Sequence, residues 1–268
     1  MKKYLSISFW IIASIYIVVV LGFVMKKRNQ EICTSVQVFV QDTLELQFIN
    51  DNDVLDLLES GGTKVLNEPL SKLNMANIEH KINKIHYVKH AEVFKKINGQ
   101  LVVKIEQRIP IVRIINSKDR GYYIDEEGFL MPVSKNVTTR IIVANGHIDL
   151  TPDFDTITNI FDKVFDKSEK MRVLRDVHRL ATFLHSNSFW EAQIQQIYIN
   201  TLHEIEMVPL VSNQMIILGT IDNLQEKFKN LEAVYKKGFS TKGWNNYKEI
   251  NLKFKNQVVC VKSDNGNQ

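Results

Sequence analysis

The sequence predicts an α+β protein in three parts: one apolar helix near the N-terminus, a small strand–helix–helix–strand–strand domain, and a mixed β-domain with two helices. Three observations carry this. Residues 4–25, YLSISFWIIASIYIVVVLGFVM, hold no charge. Residues 33–109 show strand and helix periodicities in that order. The β-run LVVKIEQRIPIVRII, residues 101–115, changes the parity of its apolar positions at Pro110, which a strand can do only by turning its other face to the core.

Composition sets the class. The 268 residues are 44% hydrophobic and 24% charged, enough apolar material for one or two cored domains and too much for a disordered chain. The net charge of +4 is a poor signature of nucleic-acid binding, because the basic residues are spread along the chain and five of them, Lys2, Lys3, Lys26, Lys27 and Arg28, flank the apolar run. Cys33 and Cys260 fit no metal or redox spacing. They could pair or stay idle, and their separation in sequence favours idle thiols.

The first element is the uncharged run. As a helix its 22 residues extend roughly 33 Å, against a hydrocarbon core of about 30 Å. Tyr4 and Trp10 sit toward one end and a basic cluster at the other, as interface anchors do. A cleaved signal peptide is the rival, but the run is long and VLGFVM offers no A-x-A-like site. Charges on the two sides nearly balance, so they leave the orientation open.

Next, Val36, Val38 and Val40 alternate in a strand over residues 33–41. Capping residues at 50–53 precede a short helix with Val54, Leu55, Leu57 and Leu58, ended by Gly61-Gly62. Asn74 caps a second helix carrying Ile78, Ile82 and Ile85. A strand over 88–97, a hairpin at Asn98-Gly99 and a return strand over 101–109 complete a small sheet with two helices on one face. Pro110 is the expected domain junction, since a proline cannot donate to a ladder.

Beyond it, residues 122–125 and 129–132 form strands around DEEG, with Gly128 in the left-handed position of a bulged hairpin. Ser168 caps a long helix with Val173, Leu174, Val177, Leu180, Ala181 and Leu184 on one side. Strands follow over 192–199, 202–208 and 214–218. Asp222 and Gln225 suggest a capping box for a helix with Leu224, Phe228, Leu231 and Tyr235. A hairpin, 247–254 and 257–262, closes the chain before a loose polar tail. Its last strand is apolar on both faces (Val258, Val259, Cys260, Val261). Left at a sheet edge it would invite aggregation, so either the domain or a partner covers it.

Catalytic signatures are absent: no GxSxG, Walker A loop, GxGxxG or HExxH occurs. His86 and His90 read as a turn into a strand, roughly 13 Å apart, rather than a metal pair. His178 and His185 read as packed or solvated helix residues. Asp125, Glu126 and Glu127 read as a solvated hairpin tip rather than glycosidase acids.

The ordered set INKIHYVKHAEVFKKINGQLVVKIEQRIPIVRI, YYIDEEGFLMPVS, EIEMVP, MIILG and YKEINLKFKNQVVCVK resembles the FtsQ/DivIB family of bacterial cell-division proteins, in its Bacteroidota-like form. It departs from the family pattern at His86, where a proline is expected. The resemblance implies a cytoplasmic tail (1–3), a transmembrane helix (4–25), a POTRA domain (29–109), a β-domain (110–262) and a flexible tail (263–268). It implies a non-enzymatic inner-membrane scaffold without cofactor or metal. Its exported domains would stand in the periplasm at the septum, binding FtsB/DivIC-like and FtsL-like proteins by strand addition and regulating septal peptidoglycan synthesis. Contacts would fall on Lys253, Phe254, Asn256, Val258, Val259, Cys260 and Val261, with the POTRA domain as a second surface for other division proteins. Two other classes compete. A membrane-anchored cell-wall hydrolase would need a catalytic acid or nucleophile in a cleft. A POTRA-containing outer-membrane assembly factor would come with a barrel or a POTRA array.

Overall fold

A computed structural model describes residues 2–29, 31–41, 48–60, 64–96, 98–134, 137, 139–211, 214–239 and 246–263. The chain divides into two compact units, Met1–Gln107 and Arg108–Gln268. The predicted helix end at Gly61-Gly62, strand end at Ile97 and tail beyond Ser263 lie outside the described residues.

The first unit opens with helix α1, Lys2–Asn29, which contains the whole uncharged run. Its side chains are described over residues 9–22. Among the described residues no helix is long and apolar enough to cross a membrane. Strand β1 (Ser35–Gln41), helices α2 (Asp51–Ser60) and α3 (Met75–Ile82), and strands β2 (Val88–Lys95) and β3 (Gln100–Gln107) follow in the expected order. The caps act as the sequence suggests. Asn50 and Asp53 exchange side-chain bonds with each other's backbone N–H, and Asn74 accepts from Asn77 N. The sheet order is β1-β3-β2, with β1 parallel and β2 antiparallel to β3. Val54 and Leu58 of α2, and Ile78 and Ile82 of α3, are buried.

Strand β3 ends at Gln107, and strand β4 (Pro110–Ile115) begins at the proline. Pro110 is thus the first residue of a new strand, a position that needs no ladder donor. It pairs with Asp125 across a register shift. Leu101, Val103 and Ile105 are buried before the break and Val112 and Ile114 after it, in keeping with the change of parity, although Val102 and Ile111 of the opposite parity are buried too.

The second unit adds β5 (Gly121–Asp125), β6 (Leu130–Pro132), β7 (Ile142–Gly146), α4 (Glu169–His185), α5 (Ser188–Gln193), β8 (Ile194–Ile199), β9 (Ile205–Pro209), β10 (Met215–Gly219), α6 (Leu224–Ala233), β11 (Tyr247–Asn251) and β12 (Val259–Lys262). Nine strands form one mixed sheet in the order β12-β11-β10-β9-β8-β7-β4-β5-β6. Helices α4 and α6 lay their apolar stripes on one face. Leu174, Val177, Leu180, Leu184, Phe228 and Leu231 share a core with Val112, Ile114, Ile197, Met207, Ile216 and Ile250. Parallel partners cannot be joined by a tight hairpin; α4 and α5 lie between β7 and β8, and α6 between β10 and β11.

Three expectations are corrected here. Strand β7 and helix α5 were not anticipated, although β7 joins the two halves of the sheet. The capping box at Asp222 and Gln225 does not form. Asn223 is the N-cap, in the left-handed conformation without a side-chain cap bond, and Asp222 accepts from Thr220 Oγ1 instead. Gly128 does take its predicted left-handed φ of +87°. Gly146 is a second such position, at φ +98°, where a Cβ would stand 2.2 Å from Ile199 O. Gly146→Ala is therefore expected to cost about 1–3 kcal/mol, read as a lower melting temperature.

Candidate functional site

The two ends of the nine-stranded sheet are treated differently. At one end β6 has three residues, and chain 158–160 bonds to its first residue and to the turn before it. Leu130 N donates to Thr158 O at 2.9 Å, Ile160 N to Gly128 O at 3.0 Å, and Asn159 Nδ2 to Glu127 O at 3.0 Å. At the other end β12 pairs with β11 on one side, and no strand lies beyond it among the described residues.

The pairing sorts the last strand's side chains. Cys260 stands opposite Ile250, which is fully buried, and Cys260 and Val258 pack partly against the core. Val259 and Val261 stand opposite Asn251 and Glu249 on the other face, 41% and 37% exposed. The strand that reads as apolar on both faces therefore has one face in the core and two valines in the open. Both cysteines are free thiols, and burial pushes each above its usual pKa.

The connecting turn carries the remaining predicted contacts. Phe254 is 48% exposed, and Asn256 holds φ +58°, which its short amide tolerates. Lys253 is already engaged: its Nζ lies 2.6 and 2.8 Å from the Glu204 oxygens.

The DEEG turn differs from its expected role as a solvated tip. Glu126 and Glu127 are exposed, but Asp125 is buried. Its Oδ2 takes the Arg108 Nη1 at 2.9 Å, and its Oδ1 accepts from Glu127 N at 3.0 Å and Phe129 N at 2.7 Å. The Arg108 guanidinium lies 3.7 Å from the Phe129 ring centroid. Burial raises the Asp125 carboxyl, against the downward pull of Arg108 and the two amides. His178, buried on α4, points Nε2 at Asp125 O (3.1 Å) and Glu126 O (3.2 Å). The sequence held a signal for this cluster: two ionisable residues at the ends of apolar runs beside a domain junction.

A cavity of about 410 Å³ is lined by Arg172, Arg175, Asp176, Arg179, His203 and Asp222, among others. A neighbouring one of about 740 Å³ adds Thr182 and Ser186. Burial raises the Asp176 carboxyl, with the arginines opposing. Yet that carboxylate is ion-paired to Arg172 at 3.1 Å, and Thr182 and Ser186 donate to backbone carbonyls of their own helix, His178 O and Phe183 O. Neither hydroxyl is presented to a base, as an activated nucleophile would be. His86 and His90 belong to no group of three or more potential metal ligands, and no such group exists among the described residues.

Comparison with known proteins gives two matches. Residues 109–261 match the family described as FtsQ/DivIB, C-terminal related, and residues 31–106 match the POTRA-like domain. No curated protein matches the chain significantly.

Proposed function

Because this chain belongs to the FtsQ/DivIB family of cell-division proteins, we propose that it is a non-enzymatic divisome scaffold that receives a partner strand along β12. The observation that carries this is the asymmetry of the large sheet: chain 158–160 bonds to the first residue of β6 and the turn before it, and among the described residues no strand lies beyond β12. A free edge offers unpaired main-chain groups, which a partner's extended segment can satisfy. The partners would be FtsB/DivIC-like and FtsL-like membrane proteins, and through them the scaffold would position and restrain septal peptidoglycan synthesis. Lys253, Phe254, Asn256 and the strand Val258, Val259, Cys260 and Val261 would supply the contacts. Co-purification of the full chain with an FtsB/DivIC-like and FtsL-like pair tests the reading. Failure of both to bind the intact chain at micromolar concentration would overturn it.

Helix α1 would anchor the scaffold in the inner membrane, with residues 1–3 cytoplasmic and both units periplasmic at the septum. The uncharged run and exposed apolar side chains on every side of α1, from Phe9, Trp10 and Ile11 to Val19, Val20 and Leu21, support this. A helix apolar all round belongs in lipid or in a core, and these side chains are covered by neither unit's core. A reporter active only in the periplasm, fused after Gln268, is expected to be active. Activity of a cytoplasm-only reporter there would reverse the topology. Val18→Arg should weaken insertion by about 2.5–3.5 kcal/mol, visible as loss of membrane-integrated chain.

A further inference from the structure

The small sheet of the first unit also ends in an edge strand, β2, and that edge is occupied by side chains. Ala91 N donates to Asn83 Oδ1 at 2.9 Å, and Val93 N donates to Glu79 Oε1 at 2.8 Å. Both N–H groups point away from β3, the strand's one sheet neighbour among the described residues. The spacing makes the match possible. Glu79 and Asn83 are four residues apart, a rise of about 6 Å along a helix. Ala91 and Val93 are two residues apart, about 6.6–6.8 Å along a strand. Helix α3 thus runs antiparallel to β2 and presents one acceptor oxygen to each of these two donors. Farther along the same strand, Lys95 Nζ donates to Leu70 O.

We infer that Glu79 and Asn83 form an edge lock that prevents β2 from pairing with β2 of a second copy of this chain. Strand addition needs the outward N–H groups of the edge, and here two of them are already taken by oxygens that a competing strand must displace. A second copy is the occupant excluded, because the strand is complementary to itself. Paired antiparallel about Ala91, two β2 strands would set His90 of each copy across from Glu92 of the other, in both halves of the pair. Within one chain these two side chains already approach to 3.8 Å on the exposed face, so the attraction is available to a neighbour as well. Anchoring in one membrane would raise the encounter rate between copies and make such a lock useful. This inference stands on the first unit alone and is independent of the β12 reading.

The test uses the full chain in detergent, with a photoreactive side chain installed at Lys89. Glu79→Ala with Asn83→Ala should raise the cross-linked dimer about tenfold over wild type. Glu79→Gln with Asn83→Asp keeps an acceptor oxygen at each position and should stay at the wild-type level. An alanine pair that melts like wild type and gives the wild-type dimer fraction overturns the inference. So does a conservative pair that dimerises as strongly as the alanine pair. Should the alanine pair melt early, Glu79→Ala alone, which leaves the Asn83 bond in place, is judged by the same readout: no rise in dimer overturns it.

Discussion

Lys262→Pro is expected to abolish binding of the FtsB/DivIC-like and FtsL-like pair while leaving the β-domain folded. Strand addition draws its affinity from main-chain hydrogen bonds, and a proline removes a donor from the ladder and restricts the backbone that carries it. Leu252 N donates to Ile217 O and Ser263 N to Asn246 O, so along β12 (Val259–Lys262) the N–H groups of Val259 and Val261 face β11 although their side chains are on the exposed face, and those of Cys260 and Lys262 face outward. Lys262 is exposed, so a proline there removes an outward donor before it disturbs the domain's own ladder or packing. Val261→Ala, on the same exposed face, should cost no more than about 0.5 kcal/mol. Phe254→Ala should cost about 2 kcal/mol if the ring is an anchor. Lys253→Glu is a poorer probe than its sequence position suggests, because it would set a second carboxylate against Glu204. Circular dichroism and melting provide the folding control. A folded Lys262→Pro protein that binds the pair with unchanged affinity would refute strand addition along β12.

Arg108→Met is expected to destabilise the β-domain by about 3–5 kcal/mol, because it leaves the Asp125 carboxylate buried without its cation. For a unit of this size that is on the order of 10 °C in melting temperature. The side chains of Arg108 and Asp125 are 6% and 3% exposed, so water cannot take over the missing contact. Adding Asp125→Asn should restore most of the loss. The amide keeps an oxygen for Glu127 N and Phe129 N and removes the stranded charge. A single variant melting within about 2 °C of wild type would show that the pair contributes little.

Local pattern made most of the elements legible, and the misses have physical causes. Helix α4 was readable because its stripe spans four turns and Ser168 does cap it, accepting from Met171 N. Strand β7 was not, because only Ile142 to Ala144 are apolar before Asn145 and Gly146, too short a run for an alternating period to show. Helix α5 is six residues long, too short for helical periodicity, although Asn187 accepts from Phe189 N and Trp190 N as its cap. Asp125 was misread because turn position and residue type both favour solvent. Its burial depends on Arg108, 17 residues earlier, and His178, 53 residues later. At β12, the composition was legible but the openness was not. Whether a terminal strand is an edge is decided by the order of all nine strands, which no single stretch encodes.

The chain segment bonded at the start of β6 has a consequence for counting. A sheet open at both ends could receive one strand and offer the other edge to a neighbour, and such head-to-tail contacts run on into filaments. With residues 158–160 bonded to Leu130 and Gly128, the large sheet is a terminus rather than a link. On the proposed strand capture, binding would saturate at one segment per β-domain, and copies gathered at one site would bring in partners in fixed proportion to their own number.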